Sequence, residues 1–165
     1  TELSPLDLAR FNMIEQQIRP WNVFDTNILQ LLGSLKREDF VPSTHKSLAF
    51  GDIELPLTAS GATSGECMLS PKVEARFLQD LLLTGTENVL EIGTGSGYMA
   101  ALLGRLSKHV TTLEINPALA DIAVQNLSCA VVANVDVRVA DGSKVEAIAG
   151  EFDVIVLSGS VAKIP

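Results

Sequence analysis

From residue 88 onward, short apolar runs alternate with stretches of helical periodicity, and this alternation constrains the fold more than any other feature. The apolar runs are rich in Val, Ile and Leu along their whole length, which is typical of parallel strands buried on both faces. The sequence therefore predicts an α/β fold with a doubly wound, Rossmann-like sheet of about four parallel strands. The predicted strands cover residues 88–93, 109–115, 134–141 and 152–159, and the helices between them cover residues 98–106, 117–129 and 143–149.

An amphipathic helix is predicted near the N-terminus, over residues 4–18. Its apolar residues recur at spacings of three and four, and we expect them to face the core: Leu8, Phe11, Ile14 and Ile18. Pro20 should end the helix because an interior proline removes a backbone hydrogen bond. Covering one face of the sheet would explain this helix fully. The alternative is that Arg19 and Trp21 also shape an entry for a peptide.

Two more helices and a loop are predicted before the sheet. Residues 25–36 form a helix with Asp25 or Thr26 as N-cap, because either side chain can accept hydrogen bonds from free backbone amides. We expect four apolar side chains of this helix to face the core: Ile28, Leu31, Leu32 and Leu35. Residues 58–66 are rich in Gly, Ser, Thr and Ala and have no apolar stripe, so we expect a mobile loop. The third helix follows Ser70, its N-cap, and begins with a proline.

The charge balance limits the partners that the chain can bind. The sequence has 20 acidic and 12 basic side chains, a formal charge of −8, and no basic cluster, so nucleic acid and anionic membranes would repel it. Cys67 and Cys129 are too far apart in sequence to suggest a disulfide scaffold, and His45 and His109 have no partners at metal-ligand spacing, so we expect no metal site. No apolar run reaches the roughly 18 residues of a membrane-spanning helix, and we expect a soluble, cytoplasmic protein.

The turn after the first predicted strand carries the clearest functional signal: EIGTGSGY, residues 91–98. Its three glycines let the backbone turn sharply and let a ligand approach the amino end of the next helix. A dinucleotide-binding turn has the spacing GxGxxG, whose third glycine would stand at Tyr98. Glu91 precedes the first glycine by two residues, and its carboxylate would repel a pyrophosphate but attract a cationic ligand.

Acidic residues end the next two predicted strands, at the sheet edge where doubly wound folds bind their ligands. Glu114 stands where a carboxylate can accept hydrogen bonds from both hydroxyls of a ribose. Asp141, beside Gly142, stands where an acid can accept from the amino group of a purine; alternatively, Asp141 is a solvated loop residue. Ribose, purine and positive charge together indicate S-adenosylmethionine. The candidate cofactor-binding residues are Glu91, Gly93, Thr94, Gly95, Gly97, Glu114, Ile115, Asp141 and Gly142.

Several motifs together resemble the protein-L-isoaspartate O-methyltransferase family of class I S-adenosylmethionine-dependent methyltransferases. They are MIEQQIRPW at residues 13–21, LSPKVEARFLQDL at residues 69–81, the turn EIGTGSGY, and LEINP and VADG further along. The resemblance covers residues 11–165. It implies methyl transfer from S-adenosylmethionine to the free carboxylate of an isoaspartyl residue in a peptide or protein, the first step in repairing damaged asparagine and aspartate.

The resemblance also implies roles for the site residues. The glycines of the turn would pack against the methionyl part of the cofactor, Glu114 would hold the ribose, and Asp141 with Gly142 would face the adenine. The chain would divide into an N-terminal helical segment with a substrate loop, residues 1–70, and a partial cofactor-binding domain, residues 71–165, within one structural unit.

The segment before the third helix departs from the family. Typical members carry a Thr-Ile-Ser-Ala-Pro type segment there, whose serine lies near the acceptor carboxylate, whereas this sequence has Cys-Met-Leu-Ser-Pro at residues 67–71. With the prolines aligned, Leu69 stands at the family's serine, and Ser70 is displaced by one residue. Ser70 is the catalytic candidate, with two alternatives open: it only caps the helix, or it also contacts the substrate or the cofactor.

The sequence ends after the fourth predicted strand, whereas a complete class I fold has further strands. Either the chain is truncated there, or a shorter fold is completed by a partner. We expect the apolar edge of the last strand, residues 152–159, to self-associate. Two other functions stay open. One is a non-catalytic S-adenosylmethionine-binding or interaction protein, which Leu69 favours. The other is an NAD-dependent oxidoreductase, which Tyr98 and Glu91 disfavour.

Overall fold

A parallel sheet of four strands lies at the centre of the computed structural model, which describes residues 3–144 and 148–159. The helices are α1 (Pro5–Met13), α2 (Thr26–Ser34), α3 (Pro71–Leu81), α4 (Tyr98–Leu106) and α5 (Pro117–Cys129). The strands are β1 (Leu55–Ala59), β2 (Ala62–Met68), β3 (Asn88–Ile92), β4 (His109–Glu114), β5 (Val135–Val139) and β6 (Val154–Leu157). The sheet order β5-β4-β3-β6 confirms the predicted doubly wound α/β fold, in which the strand order reverses between β3 and β6. Of the predicted helix at residues 143–149, residues 145–147 lie outside the described residues.

The two faces of the sheet contribute to different apolar clusters. Val89 of β3 belongs to the larger cluster, which also contains side chains of all five helices. Leu90 and Ile92 form a smaller cluster with Leu113 of β4. Successive residues of β3 therefore point to opposite faces, as the pleat of a strand requires. The N-terminal helices share the larger core with the sheet.

The buried face of α1 differs from the predicted one. The expectation that Leu8 and Phe11 face the core is wrong, because these side chains are 48% and 52% exposed. Arg10 and Met13 are buried instead, and the guanidinium of Arg10 pairs with the buried carboxylate of Glu38. After α1 the chain continues into a single π-helical turn, whose two isoleucines are buried as predicted. The face of α1 that points to the core is therefore the one that carries Arg10, whose partner Glu38 is also buried.

The predicted starts of α2 and α3 are confirmed. Asp25 is the N-cap of α2, and its carboxylate accepts hydrogen bonds from the backbone N–H groups of Asn27 (2.9 Å) and Ile28 (3.2 Å). Pro71 is the first residue of α3, after Ser70. Three of the four residues predicted to face inward from the α2 region are buried and one is partly buried: Ile28, Leu32 and Leu35, and Leu31. None of the helices in the described ranges is both long enough and apolar enough to span a bilayer.

The expected loop at residues 58–66 is instead part of a β-hairpin, so this prediction was wrong. β1 and β2 pair in antiparallel fashion, and Ser60 and Gly61 form the turn with φ values of 52° and 78°. Positive φ at both central residues gives the turn geometry that suits the twist of a two-residue hairpin. β1 is anchored by buried Leu55 and Leu57, whereas β2 is largely exposed. Its exposure explains why the sequence shows no apolar stripe there.

Candidate cofactor site

The glycine turn lies at the point where the strand order reverses. Gly93 follows β3 with φ of 98°, and a Cβ atom added to it would lie 2.5 Å from the backbone nitrogen of Gly159, which follows β6. A side chain at position 93 is therefore excluded by both backbone conformation and space. Ligands of doubly wound folds bind in the crevice outside the carboxyl ends of the strands at this reversal.

Glu114 joins the end of β4 to the glycine turn. Its Oε2 accepts a hydrogen bond from the backbone N–H of Gly95 at 2.8 Å, and its Oε1 accepts from the backbone N–H of Asn116 at 3.0 Å. The residue is only 2% exposed. A carboxylate can accept about four hydrogen bonds, so Glu114 has capacity beyond its two backbone donors, part of which the neighbouring carboxyl of Glu66 can use. The structure thus places this predicted residue beside the turn, in a fixed orientation.

Glu91 lies inside the protein, in a hydrogen-bond network that supports the turn. It is fully buried and accepts hydrogen bonds from the hydroxyls of Thr112 and Ser158, each at 2.7 Å. The hydroxyl oxygens of Thr94 and Thr112 are 2.6 Å apart, so the side chain of Thr94 also points into this network. Burial raises the pKa of Glu91 to about 7. The network connects the segments that follow β3 and β6 with β4, while direct contact of these side chains with a cofactor stays a prediction.

Asp141 and Gly142 follow β5, which is the neighbour of β4 in the sheet. The carboxylate of Asp141 accepts hydrogen bonds from the hydroxyl (2.7 Å) and backbone N–H (3.0 Å) of Ser143, which lower its pKa below the usual range. A Cβ atom added to Gly142 would lie 2.4 Å from Cγ2 of Ile92, at the end of β3. Ile115, directly after β4, is 62% exposed. These residues lie at the carboxyl ends of adjacent strands, where the sequence places them, and their contact with adenine stays a prediction.

Ser70 and Leu69 differ in their surroundings. Ser70 occupies the N-cap position of α3 and is buried, but its hydroxyl makes no capping hydrogen bond. Leu69 lines a cleft together with residues of the glycine turn. The residue at the family's serine position is therefore the one that faces the cleft, and the catalytic role of Ser70 stays a prediction.

The cleft lies between the glycine turn and the hairpin. Residues 93–96 and Tyr98 line one side, and Leu57 and residues 67–69 line the other. It contains about 320 Å³ of empty space including its mouth, of which only about 30 Å³ admits water-sized groups. A Cβ atom added to Gly95 would lie 3.1 Å from Cδ1 of Leu57, so the hairpin lies close over the turn. A ligand group much larger than a water molecule can therefore enter this cleft only if the hairpin moves outward.

A second cleft is larger, because about 450 Å³ of it admits water-sized groups. It lies between the hairpin, residues 40–44 and α5. Neither Glu114 nor Asp141 lines it. The same is true of the smaller cleft, but that one is lined by residues 93–96 of the glycine turn, whereas the larger cleft touches the turn only at Ser96.

Sequence reasoning missed three charged residues around the smaller cleft. Arg37 and Glu74 are buried as an ion pair at 2.9 Å, although the sequence shows them only as members of mixed charged stretches. Glu66 of β2 lies beside Glu114, and burial together with repulsion from that carboxylate raises the pKa of Glu66 to about 7. No pattern in the sequence indicates these positions, because each depends on contacts between distant segments.

A doubly wound parallel sheet, a glycine turn at its reversal point and a carboxylate at the end of the adjacent strand define the fold of a class I S-adenosylmethionine-dependent methyltransferase. The family model for protein-L-isoaspartate(D-aspartate) O-methyltransferase matches residues 9–165. The chain belongs to the protein-L-isoaspartate O-methyltransferase family, whose methyl donor is S-adenosylmethionine.

Individual relatives agree with this assignment. The chain is 37% identical over 153 residues to a protein-L-isoaspartate O-methyltransferase of Rhodopseudomonas palustris (strain ATCC BAA-98 / CGA009), covering 93% of this chain and 68% of the relative. It is 34% identical over 164 residues to the enzyme of that name from Koribacter versatilis, covering 99% of this chain and 72% of the relative. The chain thus spans about two-thirds of the length of these relatives.

Solved structures show the same fold. A structure of a protein-L-isoaspartate O-methyltransferase superposes with a TM-score of 0.79 at 26% identity, covering 94% of this chain and 50% of the other. A putative protein-L-isoaspartate O-methyltransferase from Plasmodium falciparum, in complex with S-adenosyl-L-homocysteine, superposes with a TM-score of 0.71 at 15% identity, covering 99% and 77%.

Proposed function

We propose that this chain carries the cofactor site of a protein-repair methyltransferase and transfers a methyl group from S-adenosylmethionine to the carboxylate of an isoaspartyl residue. The observation that carries the proposal is the hydrogen bond from the backbone N–H of Gly95 to Glu114, which holds a carboxylate against the glycine turn. Membership of the family supplies the reaction.

The residues present fit the cofactor in three parts. The glycine turn, without side chains at positions 93, 95 and 97, would lie against the methionyl part. Glu114 would accept hydrogen bonds from the ribose hydroxyls with the lone pairs that its two backbone partners leave free. Ile115 offers exposed apolar surface for the adenine, and Asp141 an ionised carboxylate for its amino group.

The reaction requires little from the side chains of the protein. S-adenosylmethionine supplies a methyl group already activated by the positive sulfur. The acceptor carboxylate is ionised near neutral pH, so it needs no general base. What the chain must do is align the two reactants and exclude water, and alignment of this kind can lower a barrier by roughly 7–11 kcal/mol. The hairpin that lies over the glycine turn is the element placed to do this.

The acceptor side of the site is less typical of the family. Leu69 brings an apolar side chain to the cleft where the family has a serine, and Ser70 lies at the N-cap of α3. We include Ser70 in the proposal as a residue that contacts the acceptor after the hairpin opens. The second candidate function, cofactor binding without catalysis, is favoured by Leu69 alone.

Methyl transfer from isotope-labelled S-adenosylmethionine tests the proposal. An isoaspartyl peptide should gain label, whereas the same peptide with ordinary aspartate should not. Binding of the cofactor without label on either peptide would contradict the proposed reaction and support the non-catalytic function. Ser70→Ala should reduce transfer more than cofactor binding, and an equal effect on both would restrict Ser70 to its place at the helix start.

The proposal also covers association and location. β6 is an edge strand of the sheet in the described ranges, and its Ile155 is 61% exposed, which supports self-association through this edge. Sedimentation as a monomer at high concentration would contradict this. A cytoplasmic location and the lack of nucleic-acid or membrane partners remain predictions from charge and cysteine content.

A further inference from the structure

Arg37 ties the segment before α3 to the rest of the protein. It is fully buried, and its guanidinium donates to the backbone oxygen of Ala49 (2.8 Å), to Oε1 of Glu74 (2.9 Å) and to the backbone oxygen of Leu69 (2.8 Å). The same group lies 5.0 Å from the centre of the Tyr98 ring. Every branch of the guanidinium is thus occupied by the protein, so Arg37 has a positioning role.

Glu74 has one carboxylate oxygen free. Oε1 accepts from Arg37, but Oε2 is buried without a hydrogen-bond partner among the described residues. A buried carboxylate oxygen without a donor is costly, so such an atom commonly has a ligand or water as its partner. Glu74 is 2% exposed and lines the cleft beside the glycine turn. The free oxygen is therefore available to a hydrogen-bond donor that enters this cleft.

Tyr98 lines the same cleft and carries a second polar group without a partner in the described ranges. It is the first residue of α4, and its hydroxyl is buried without a partner among the residues that the structure describes. The ring is held between Phe40, with centroids 5.3 Å apart, and Arg37. Burial raises the pKa of Tyr98, so the phenol keeps its proton and can donate it in a hydrogen bond.

The two free groups complement a zwitterion. We propose that Glu74 and Tyr98 bind the amino-acid end of S-adenosylmethionine: Oε2 of Glu74 accepts from the α-ammonium group, and the hydroxyl of Tyr98 donates to the α-carboxylate. This inference rests on the proposed function, because it assumes that the methionyl part lies along the glycine turn. Arg37 holds Glu74 in place and fixes Leu69 beside it. The present width of the cleft requires residues 67–69 to move outward when the ligand enters.

Calorimetric titration of three ligands into the complete chain tests the proposal. The ligands are S-adenosylhomocysteine, its analogue without the α-amino group, and its analogue without the α-carboxylate. Glu74→Gln should weaken S-adenosylhomocysteine about tenfold to a hundredfold, the usual range for a hydrogen bond to a charged group, and leave the deaminated analogue unchanged. Tyr98→Phe should weaken the binding of S-adenosylhomocysteine by a similar factor, because its hydroxyl also bonds a charged group, and leave the binding of the decarboxylated analogue unchanged.

Glu38→Gln is the matched control. Glu38 is also a buried glutamate paired with an arginine, Arg10, but it lines neither cleft. It should lose stability without changing the ratio of affinities between the three ligands. Tyr98→Phe keeps the ring in place, so it decides the proposal even if Glu74→Gln does not fold.

If either folded variant loses the same factor of affinity for S-adenosylhomocysteine and for the matching analogue, the inference is overturned, because a merely structural role affects both ligands alike. Unchanged affinity for S-adenosylhomocysteine would overturn it as well. Absence of S-adenosylhomocysteine binding to the unsubstituted chain would instead refute the proposed function itself.

Discussion

Replacing Glu114 with glutamine should separate its structural role from its proposed role in ribose binding. The carboxylate accepts from the backbone N–H groups of Gly95 and Asn116 with different oxygens, whereas glutamine has one oxygen and directs an NH2 group toward the other amide. Loss of a hydrogen bond to a charged acceptor costs about 1.5–3 kcal/mol. Each ribose hydroxyl that Glu114 accepts adds a loss of that size to binding. We therefore expect the dissociation constant of S-adenosylhomocysteine to rise at least tenfold, by about 1.4 kcal/mol or more.

The assay compares two ligands on each variant by calorimetry. An analogue of S-adenosylhomocysteine whose ribose lacks both the 2′ and 3′ hydroxyls should lose less affinity from Glu114→Gln than S-adenosylhomocysteine does, because only the effect on the turn applies to it. Glu54→Gln, which removes an exposed carboxylate, serves as the control for net charge and should change neither affinity. If Glu114→Gln weakens both ligands by the same factor, Glu114 acts only by shaping the turn, and its assignment to the ribose is refuted.

Three further outcomes can be checked. Arg37→Met should lower the free energy of unfolding by about 3–5 kcal/mol in urea denaturation, because it leaves Glu74 buried without its charge partner; a loss below about 1 kcal/mol would contradict this. Because the folded pKa of Glu91 is raised from 4.5 to about 7, its stabilising contribution is complete below pH 4.5 and is lost as the pH rises through 7. The unsubstituted chain should therefore lose roughly 3 kcal/mol relative to Glu91→Gln between pH 4.5 and about pH 8, and an equal pH response of the two would refute the raised pKa. S-adenosylhomocysteine should slow the alkylation of Cys67, which lines the cleft, and leave the alkylation rate of Cys129, the internal control at the end of α5, unchanged. An alkylation rate of Cys67 that is the same with and without the ligand would contradict the placement of the ligand.

The parallel sheet was predictable because its two central strands, β3 and β4, are buried along nearly their whole length. Val89, Leu90 and Ile92 are at most 7% exposed, and such a run of apolar residues is visible in the sequence alone. The hairpin was not predictable from that signal. β2 is mostly exposed, so its stability comes from backbone pairing with β1 and from the Ser60-Gly61 turn, neither of which produces an apolar pattern.

The candidate site likewise contains residues that could be predicted from the sequence and residues that could not. The glycine turn and Glu114 were predictable because both lie next to strand ends in the sequence. Arg37 and Glu74 were not, because a buried ion pair consists of residues that look like ordinary surface charges until distant segments bring them together. The inward position of Arg10, in place of Leu8 and Phe11, has the same cause.

The central claim is that the glycine turn and Glu114 hold the nucleoside of S-adenosylmethionine, and a titration followed by ¹H–¹⁵N correlation spectra tests it most directly. S-adenosylhomocysteine should shift the amide signals of Gly95 and Asn116, the two donors to Glu114, and saturate them at one equivalent, while NAD leaves them unchanged. Shifts of both signals with NAD, or their indifference to S-adenosylhomocysteine at saturation, would contradict the account.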